Sequence, residues 1–242
     1  MIFPSLDRVK AIAPGYDIVP VYMEILSDVR TPISVLKALK QVSSHTYLLE
    51  SADNSNHWGR YSFLGYDPKI ELFCKNHKMT IKDGTTRTFE CSDPAAEIRN
   101  ILSQYKSPRL EELPTFTGGF VGYFACEYIR YIEPTLDFPT PDDDSAMVND
   151  VDLMLFDKVI AFDHYKNKIY LIANISTNDL ERNYNKAELE LKALADLVVN
   201  GKEADIPKGI LKTEFTSEFT KDEFEAVVKK TQHYIKEGDI FQ

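Results

Sequence analysis

Hydrophobic residues fall mainly in short runs bounded by turn residues, a pattern typical of strands. These runs predict strands over residues 18–26, 47–52, 60–65, 70–75, 78–82, 85–89, 118–125, 151–163 and 168–175. Because several runs follow one another without a strict strand–helix alternation, we expect antiparallel pairing. Asp83 and Gly84 suit a tight hairpin turn in which both central positions need positive φ. The predicted fold class is α+β, with antiparallel β-sheets and inserted helices.

The predicted helices are marked by capping signals. Pro32 and Pro94 each follow a capping residue and occupy a first helical position, where a missing amide proton costs nothing. Together with the helical spacing of apolar residues, these signals predict helices over residues 32–42, 94–105 and 179–199, the last closing at Gly201.

The last predicted helix begins at a capping box of Thr220 and Glu223 and stops at Gly238. Its apolar face consists of Phe224, Val227, Val228, Thr231, Tyr234 and Ile235. After it the chain offers only the opening of a strand, so we expect a fragment cut inside a larger fold. A natural C-terminal helix with a short tail is the alternative that these residues leave equally open. The polar stretch 202–217 is the predicted domain boundary.

Composition narrows the class of protein. A hydrophobic fraction of 43% and a charged fraction of 27% are typical of a soluble globular protein. The net charge of -10 argues against a nucleic acid or an anionic membrane as partner. Cys74, Cys91 and Cys126 have unrelated spacings and indicate reduced thiols, which implies a cytoplasmic location.

Most candidate motifs have an ordinary structural explanation. Gly118, Gly119 and Gly122 do not have the spacing of a phosphate-binding loop, so they favour close backbone packing in a strand. The histidines form no ligand cluster. The acidic run 142–144 lies in a proline-rich segment, 134–145, that we expect to be an exposed loop. Metal sites are therefore not indicated, and the residues alone predict no active site.

One group of residues fits a small zwitterion. Glu50 and Ser51 end an apolar strand that includes Leu49, and Arg60 follows nearby with aromatic residues around it. A carboxylate, a hydroxyl, a guanidinium and an apolar wall are the groups that an amino acid needs for recognition. On these residues alone, a strand end with solvent-exposed polar side chains is the favoured alternative.

Several segments together resemble one family. In chain order they read LLES at 48–51, WGRYSFLG at 58–65, GGFVGYFA at 118–125, DLMLFDKVIAFDHYKNKIYLIA at 152–173 and EGDIFQ at 237–242. This combination resembles the N-terminal portion of the large subunit of anthranilate synthase, a family of chorismate-utilising enzymes. The resemblance covers essentially the whole chain and implies a truncated form of that fold.

The resemblance implies the function of a parent enzyme. That enzyme, a carbon–oxygen lyase, converts chorismate and ammonia to anthranilate and pyruvate in tryptophan biosynthesis. It uses Mg²⁺, and a small glutamine amidotransferase subunit supplies the ammonia. The metal-binding carboxylates and chorismate contacts of the family belong to the half that does not match this chain. We therefore expect no catalytic residue, no cofactor and no activity in this fragment.

The resemblance also implies a regulatory site for L-tryptophan, which inhibits the parent enzyme. Ser51 is expected to contact the amino acid, Glu50 to bind its ammonium group and Leu49 to pack against it, with Arg60 as a further candidate. Residues 1–205 would form the regulatory domain, and residues 206–242 the linker, a helix and the start of the chorismate-binding domain.

Two alternatives stay open. Aminodeoxychorismate synthase of the folate pathway shares the fold and substrate, and the residues that distinguish the two products are not among those present. The second alternative is a non-enzymatic amino-acid-binding module. This alternative predicts that the last helix packs completely on its own chain. The enzyme interpretation predicts that this helix keeps an incompletely covered apolar face.

Overall fold

The computed structural model describes residues 1–28, 30–51, 59–133, 135, 148–205, 207 and 209–242. The predicted acidic loop at 134–145 lies outside these residues apart from Thr135. The chain divides into two compact units, Met1–Asp205 and Ile206–Gln242.

The first unit contains the strands and most of the helices. In chain order the strands are β1 (Ile18–Leu26), β2 (Thr46–Glu50), β3 (Tyr61–Tyr66), β4 (Ile70–Lys75), β5 (Lys78–Lys82), β6 (Thr86–Glu90), β7 (Gly119–Phe124), β8 (Val151–Phe156), β9 (Lys158–Asp163) and β10 (Lys168–Ser176). The helices are α1 (Leu6–Ile12), α2 (Pro32–Leu39), α3 (Pro94–Leu102), α4 (Ile129–Ile132), which follows a 3₁₀ turn at Cys126–Tyr128, and α5 (Leu180–Asn200).

The strands form two five-stranded antiparallel sheets, which confirms the predicted α+β class. The first sheet has the order β1-β10-β9-β3-β2, and the second has the order β6-β5-β4-β8-β7. One face of the first sheet packs against α2 and α5, where Leu39, Leu171 and Leu191 are among the buried side chains. The second sheet packs against α3 through residues such as Leu72, Met79 and Ile98. Burial of these apolar faces is the main stabilising term for such layers.

The predicted strand at 151–163 is wrong in one respect, because it is two strands in different sheets. β8 ends at Phe156 and pairs in the second sheet, whereas β9 begins at Lys158 and pairs in the first. Only Asp157 lies between them. Only the charged pair Asp157 and Lys158 interrupts the apolar run at this point, and such a pair alone does not distinguish a change of sheet from a polar position within one strand. The chain therefore crosses between the sheets at one residue.

Smaller differences from the predictions have local causes. Lys82 pairs with Thr86, so the hairpin loop has three residues, and Gly84 has a φ of 90° while Asp83 does not have positive φ. A glycine alone can supply the turn in such a loop. Helix α3 ends at Leu102, three residues before the predicted end at 105. The short helices α1 and α4 were not predicted, since seven and four residues give too little apolar periodicity.

The predicted helix caps are present. The Thr31 hydroxyl accepts a hydrogen bond from the Ser34 amide at 3.2 Å. Gly122 has the predicted close packing, because a Cβ at this position would lie 1.9 Å from the Asp152 carbonyl oxygen on β8. This glycine therefore lets β7 approach β8 and does not form a phosphate-binding loop.

The second unit consists of a polar segment and helix α6 (Lys221–Glu237). Thr220 and Glu223 form the predicted capping box, and Gly238 ends the helix with a φ of 84°. None of the residues of α6 is buried. This helix, taken by itself, has an apolar face without a core of its own.

Candidate functional site

The predicted amino-acid-binding residues lie at the end of the edge strand β2. Leu49 pairs with Phe63 of β3, and Glu50 pairs with Ser62. Leu49 is 47% exposed, and Glu50 and Ser51 are also exposed. Side chains alternate along a strand, so Leu49 and Glu50 point to opposite faces of the sheet. Trp58 of the predicted aromatic run lies outside the described residues.

Ser62 links the Glu50 carboxylate to a histidine. Its hydroxyl lies 3.4 Å from the Glu50 Oε1 atom and 2.7 Å from Nε2 of His164. Ser62 is almost fully buried, whereas Glu50 and His164 are exposed. A hydroxyl has a single proton, so donation to Glu50 requires that His164 donate its Nε2 proton to Ser62. The two exposed ionisable groups thus share one buried hydroxyl.

Arg60 forms a two-pronged ion pair with Asp163, the last residue of β9. Its Nε donates to Oδ1 at 3.0 Å and its Nη2 donates to Oδ2 at 2.7 Å. The Asp163 side chain is 0% exposed, and the Arg60 side chain is 32% exposed. Parallel donation to a carboxylate gives a strong and strongly oriented contact. Arg60 therefore has the structural role of pairing with a buried charge.

The environment of Asp163 favours its ionised form. Burial opposes ionisation, but the hydrogen bond from Arg60 and those from the Lys166 and Tyr165 amides outweigh it. The pKa of the Asp163 carboxyl therefore lies below its ordinary value. The Arg60 guanidinium also lies 4.8 Å from the ring centroid of Tyr61 and 5.4 Å from that of Tyr165. Two aromatic rings and a carboxylate thus hold this cation in place.

The structure brings together some of the predicted residues and adds others. Glu50 lies beside Ser62, and Arg60 is held by Asp163 in the neighbouring strand. Sequence reasoning missed Ser62, Asp163 and His164. A buried serine inside an apolar strand was the available signal for the first, and the sequence AFDH at 161–164 for the other two.

The residues that the structure describes do not form a magnesium site. Across the part of the chain that the structure describes, no group of three or more His, Cys, Asp or Glu side chains is placed to hold a metal ion. Mg²⁺ requires a near-octahedral set of oxygen ligands.

No helix in the described ranges is long and apolar enough to cross a membrane.

A family model identifies the class to which the chain is similar. The model for chorismate binding enzymes matches residues 45–242, which cover most of the first compact unit and all of the second.

Individual proteins similar to this chain belong to the same class as the family model. Anthranilate synthase component 1 of Acetivibrio thermocellus is 34% identical, over 100% of this chain and 50% of the relative. The component 1 protein of Acinetobacter calcoaceticus is 36% identical, over 94% of this chain and 46% of the relative. The chloroplastic anthranilate synthase alpha subunit 2 of Arabidopsis thaliana is 30% identical, over 99% of this chain and 43% of the relative. The chain thus spans about half the length of these relatives.

A solved structure shows the same similarity. The crystal structure of anthranilate synthase component I from Streptococcus pneumoniae TIGR4 superposes with a TM-score of 0.50 at 25% identity. The match covers 89% of this chain and 46% of that chain. The resemblance inferred from the sequence motifs is thereby confirmed, and the chain belongs to the family of chorismate-binding enzymes.

Proposed function

We propose that this chain is the N-terminal part of an anthranilate synthase large subunit. The intact enzyme would convert chorismate and ammonia to anthranilate and pyruvate, using Mg²⁺ and a glutamine amidotransferase subunit as partner. The similarity to component 1 proteins along the whole chain supports this proposal. The residues present would contribute the L-tryptophan feedback site and not the catalytic groups.

The observation that carries the regulatory proposal is the arrangement at the end of β2. The exposed Glu50 carboxylate would accept the ammonium group of tryptophan, as an ion pair with hydrogen bonds. Ser51 and Arg60 would bind its carboxylate, since Asp163 uses only part of the donor set of the guanidinium. Leu49 is half exposed on the opposite face of the sheet from Glu50. The indole ring would reach around the edge of β2 to pack against it.

The arrangement also explains how the site is positioned. The Ser62 hydroxyl hydrogen-bonds to the Glu50 carboxylate, and the Asp163 carboxylate pairs with the Arg60 guanidinium. Both charged groups would therefore be oriented before a ligand binds. Preorganisation lowers the entropic cost of binding. Tryptophan would inhibit by favouring an inactive arrangement of the enzyme, which requires unequal affinity for the two states.

Calorimetric titration of L-tryptophan tests the proposal. It would be carried out on the 242-residue chain and on the intact protein, with Ser51→Ala and Glu50→Gln as variants and the distant Glu188→Gln as control. We expect saturable binding to the intact protein that each site variant weakens by about 1–3 kcal/mol, the cost of leaving polar partners unpaired. Glu188→Gln should leave the affinity unchanged.

The product of the intact protein distinguishes the two chorismate enzymes. Anthranilate formed from chorismate and ammonia supports the main proposal, whereas aminodeoxychorismate would move the chain to the folate pathway. Activity without tryptophan binding would retain the enzyme and remove the regulatory role. Binding without any reaction of chorismate would favour the amino-acid-binding module.

A further inference from the structure

A cavity of about 110 Å³ lies in the first unit where the chain crosses between the two sheets. Its wall includes Asp157 at the crossing, the β7 backbone at Gly119 and side chains from β1, β10 and α3. None of its lining residues belongs to the proposed tryptophan site, which consists of Leu49, Glu50, Ser51 and Arg60. It is therefore a separate candidate site.

The wall of the cavity is held firmly. The Asn174 side-chain amide donates to the Thr117 carbonyl at 2.7 Å and to the Asp157 carbonyl at 3.1 Å. Gly118 leaves no side chain between them, since a Cβ there would lie 2.6 Å from the Asn174 Nδ2 atom. The cavity is thus a feature of ordered backbone, and a preformed shape favours a specific ligand.

Asp157 lines the cavity, and in the described part of the chain its carboxylate has no cationic partner within ion-pair distance. Among the residues that the structure describes, it forms no ion pair, and the neighbouring Lys158 ammonium pairs with Asp67 at 3.5 Å instead. Burial raises the pKa of the Asp157 carboxyl, against the weaker opposing fields of Lys158 and Lys69. A half-buried carboxylate of this kind is stabilised when a cationic or hydrogen-bond-donating group approaches it.

Lys69 supplies the opposite charge. Its ammonium group lies 5.2 Å from the ring centroid of Tyr105, and both residues line the cavity. Within the described ranges, Lys69 forms no ion pair with Asp157 or another carboxylate. The cavity therefore has an acceptor for an ammonium group and a donor for a carboxylate, with apolar surface from Leu102 and Phe156 beside them.

The volume limits the size of the ligand. A cavity of about 150 Å³ holds benzene, which has six non-hydrogen atoms. The volume of about 110 Å³ is smaller, so it limits a ligand to no more than roughly six non-hydrogen atoms. We propose that the cavity binds a compact zwitterion, a free amino acid of the size of alanine, with its ammonium group on Asp157 and its carboxylate on Lys69.

Three small molecules with a common three-carbon skeleton test this proposal by NMR titration of the ¹⁵N-labelled chain. L-Alanine has both charges, L-lactate lacks the ammonium group and propan-2-amine lacks the carboxylate. We expect saturable shifts at the Gly118, Gly119 and Asn174 amides with L-alanine, with a dissociation constant of about 1 mM. Each of the other two molecules should bind at least about tenfold more weakly.

Charge-removing variants assign the two ends of the ligand. Asp157→Asn should weaken L-alanine binding about tenfold and leave the weak binding of lactate unchanged. Lys69→Met should weaken L-alanine binding and leave that of propan-2-amine unchanged. Asp196→Asn and Lys192→Met, which remove the same charges from exposed positions on α5, are the matched controls. Glu50→Gln, in the tryptophan site proposed above, should have no effect.

The same spectra show whether each variant is folded, because its amide dispersion is recorded before titration. Equal binding of all three molecules, or L-alanine binding that survives both Asp157→Asn and Lys69→Met, would overturn the proposal. Absence of shifts at the three amides with L-alanine at saturating concentration would also overturn it. None of these outcomes bears on the tryptophan site, whose readout lies at the end of β2.

Discussion

Two aspartates flank the strand β9, and their environments have opposite effects. Asp163 at its end is buried with the Arg60 guanidinium and two backbone amides, and its pKa is lowered. Asp157 just before its start has no ion pair in the part of the chain described, and burial raises its pKa. The comparison shows that burial alone does not decide the charge state of a carboxyl; the partners present do. The paired aspartate supports the structure, and the unpaired one is the candidate for binding.

The largest expected effect comes from removing the partner of Asp163. Arg60→Met leaves a fully buried carboxylate with only backbone donors, so we expect a loss of about 3 kcal/mol in the free energy of unfolding. Urea denaturation followed by circular dichroism measures this loss. Arg182→Met, at an exposed position on α5, is the matched control and should change the value by less than about 0.5 kcal/mol. A loss no larger than in the control would contradict a structural role for Arg60.

Replacing each of the two aspartates by asparagine should change the free energy of unfolding in opposite directions. Asp163→Asn removes charge-assisted hydrogen bonds and should cost about 2 kcal/mol at pH 7. Asp157→Asn replaces a desolvated carboxylate by a neutral amide, so the free energy of unfolding at pH 7 should rise. Urea denaturation of both variants at one pH compares them directly. A decrease in the free energy of unfolding in both variants would contradict the different roles assigned to Asp163 and Asp157.

The pH dependence of these differences sharpens the comparison. The lowered pKa of Asp163 contributes stability above about pH 3.9, the pKa of an aspartate in the unfolded chain. This contribution is lost as the pH falls through the pKa of Asp163 in the folded protein. Asp157, with a raised pKa, contributes stability below about pH 3.9, and this is lost as the pH rises through the folded pKa. Denaturation at several pH values from about 7 down to about 2 should therefore show each variant converging on the wild type in acid, with Asp163→Asn converging at a lower pH than Asp157→Asn. A difference that persists unchanged at the lowest pH would contradict the assignment.

The smallest expected effect is at Ser62. Ser62→Ala removes the hydroxyl shared by Glu50 and His164 and should cost about 1 kcal/mol. Because both neighbours are exposed, water can replace the lost contacts. Thermal denaturation measures the change, with Ser44→Ala, which removes an exposed hydroxyl also bonded to a histidine, as the control. A loss as large as that of Arg60→Met would show that Ser62 has a further buried partner.

Local features of the fold were accessible from the sequence, whereas long-range pairings were not. Strand β1 was predicted with its observed bounds, because its apolar run is bounded by turn residues on both sides. The capping box of α6 was predicted from Thr220 and Glu223 for the same reason, since capping depends on neighbours in the chain.

The candidate site shows the limit of this approach. Arg60 and Asp163 are 103 positions apart, and only the antiparallel pairing of β3 with β9 brings them together. The single-residue crossing at Asp157 was hidden for a related reason, since both flanking strands are apolar. Pattern along the chain identifies an element, but sheet order determines which elements meet.

The crossing at Asp157 also has a mechanical meaning. No flexible loop separates β8 from β9, so at this crossing the backbone torsions of one residue connect the first sheet to the second. The carbonyl of that residue accepts hydrogen bonds from both the backbone and the side chain of Asn174, at 2.9 Å and 3.1 Å. One residue has only two soft backbone torsions, so this connection allows little independent adjustment of β8 and β9. A ligand bound at Asp157 would therefore lie at the connection between the two sheets.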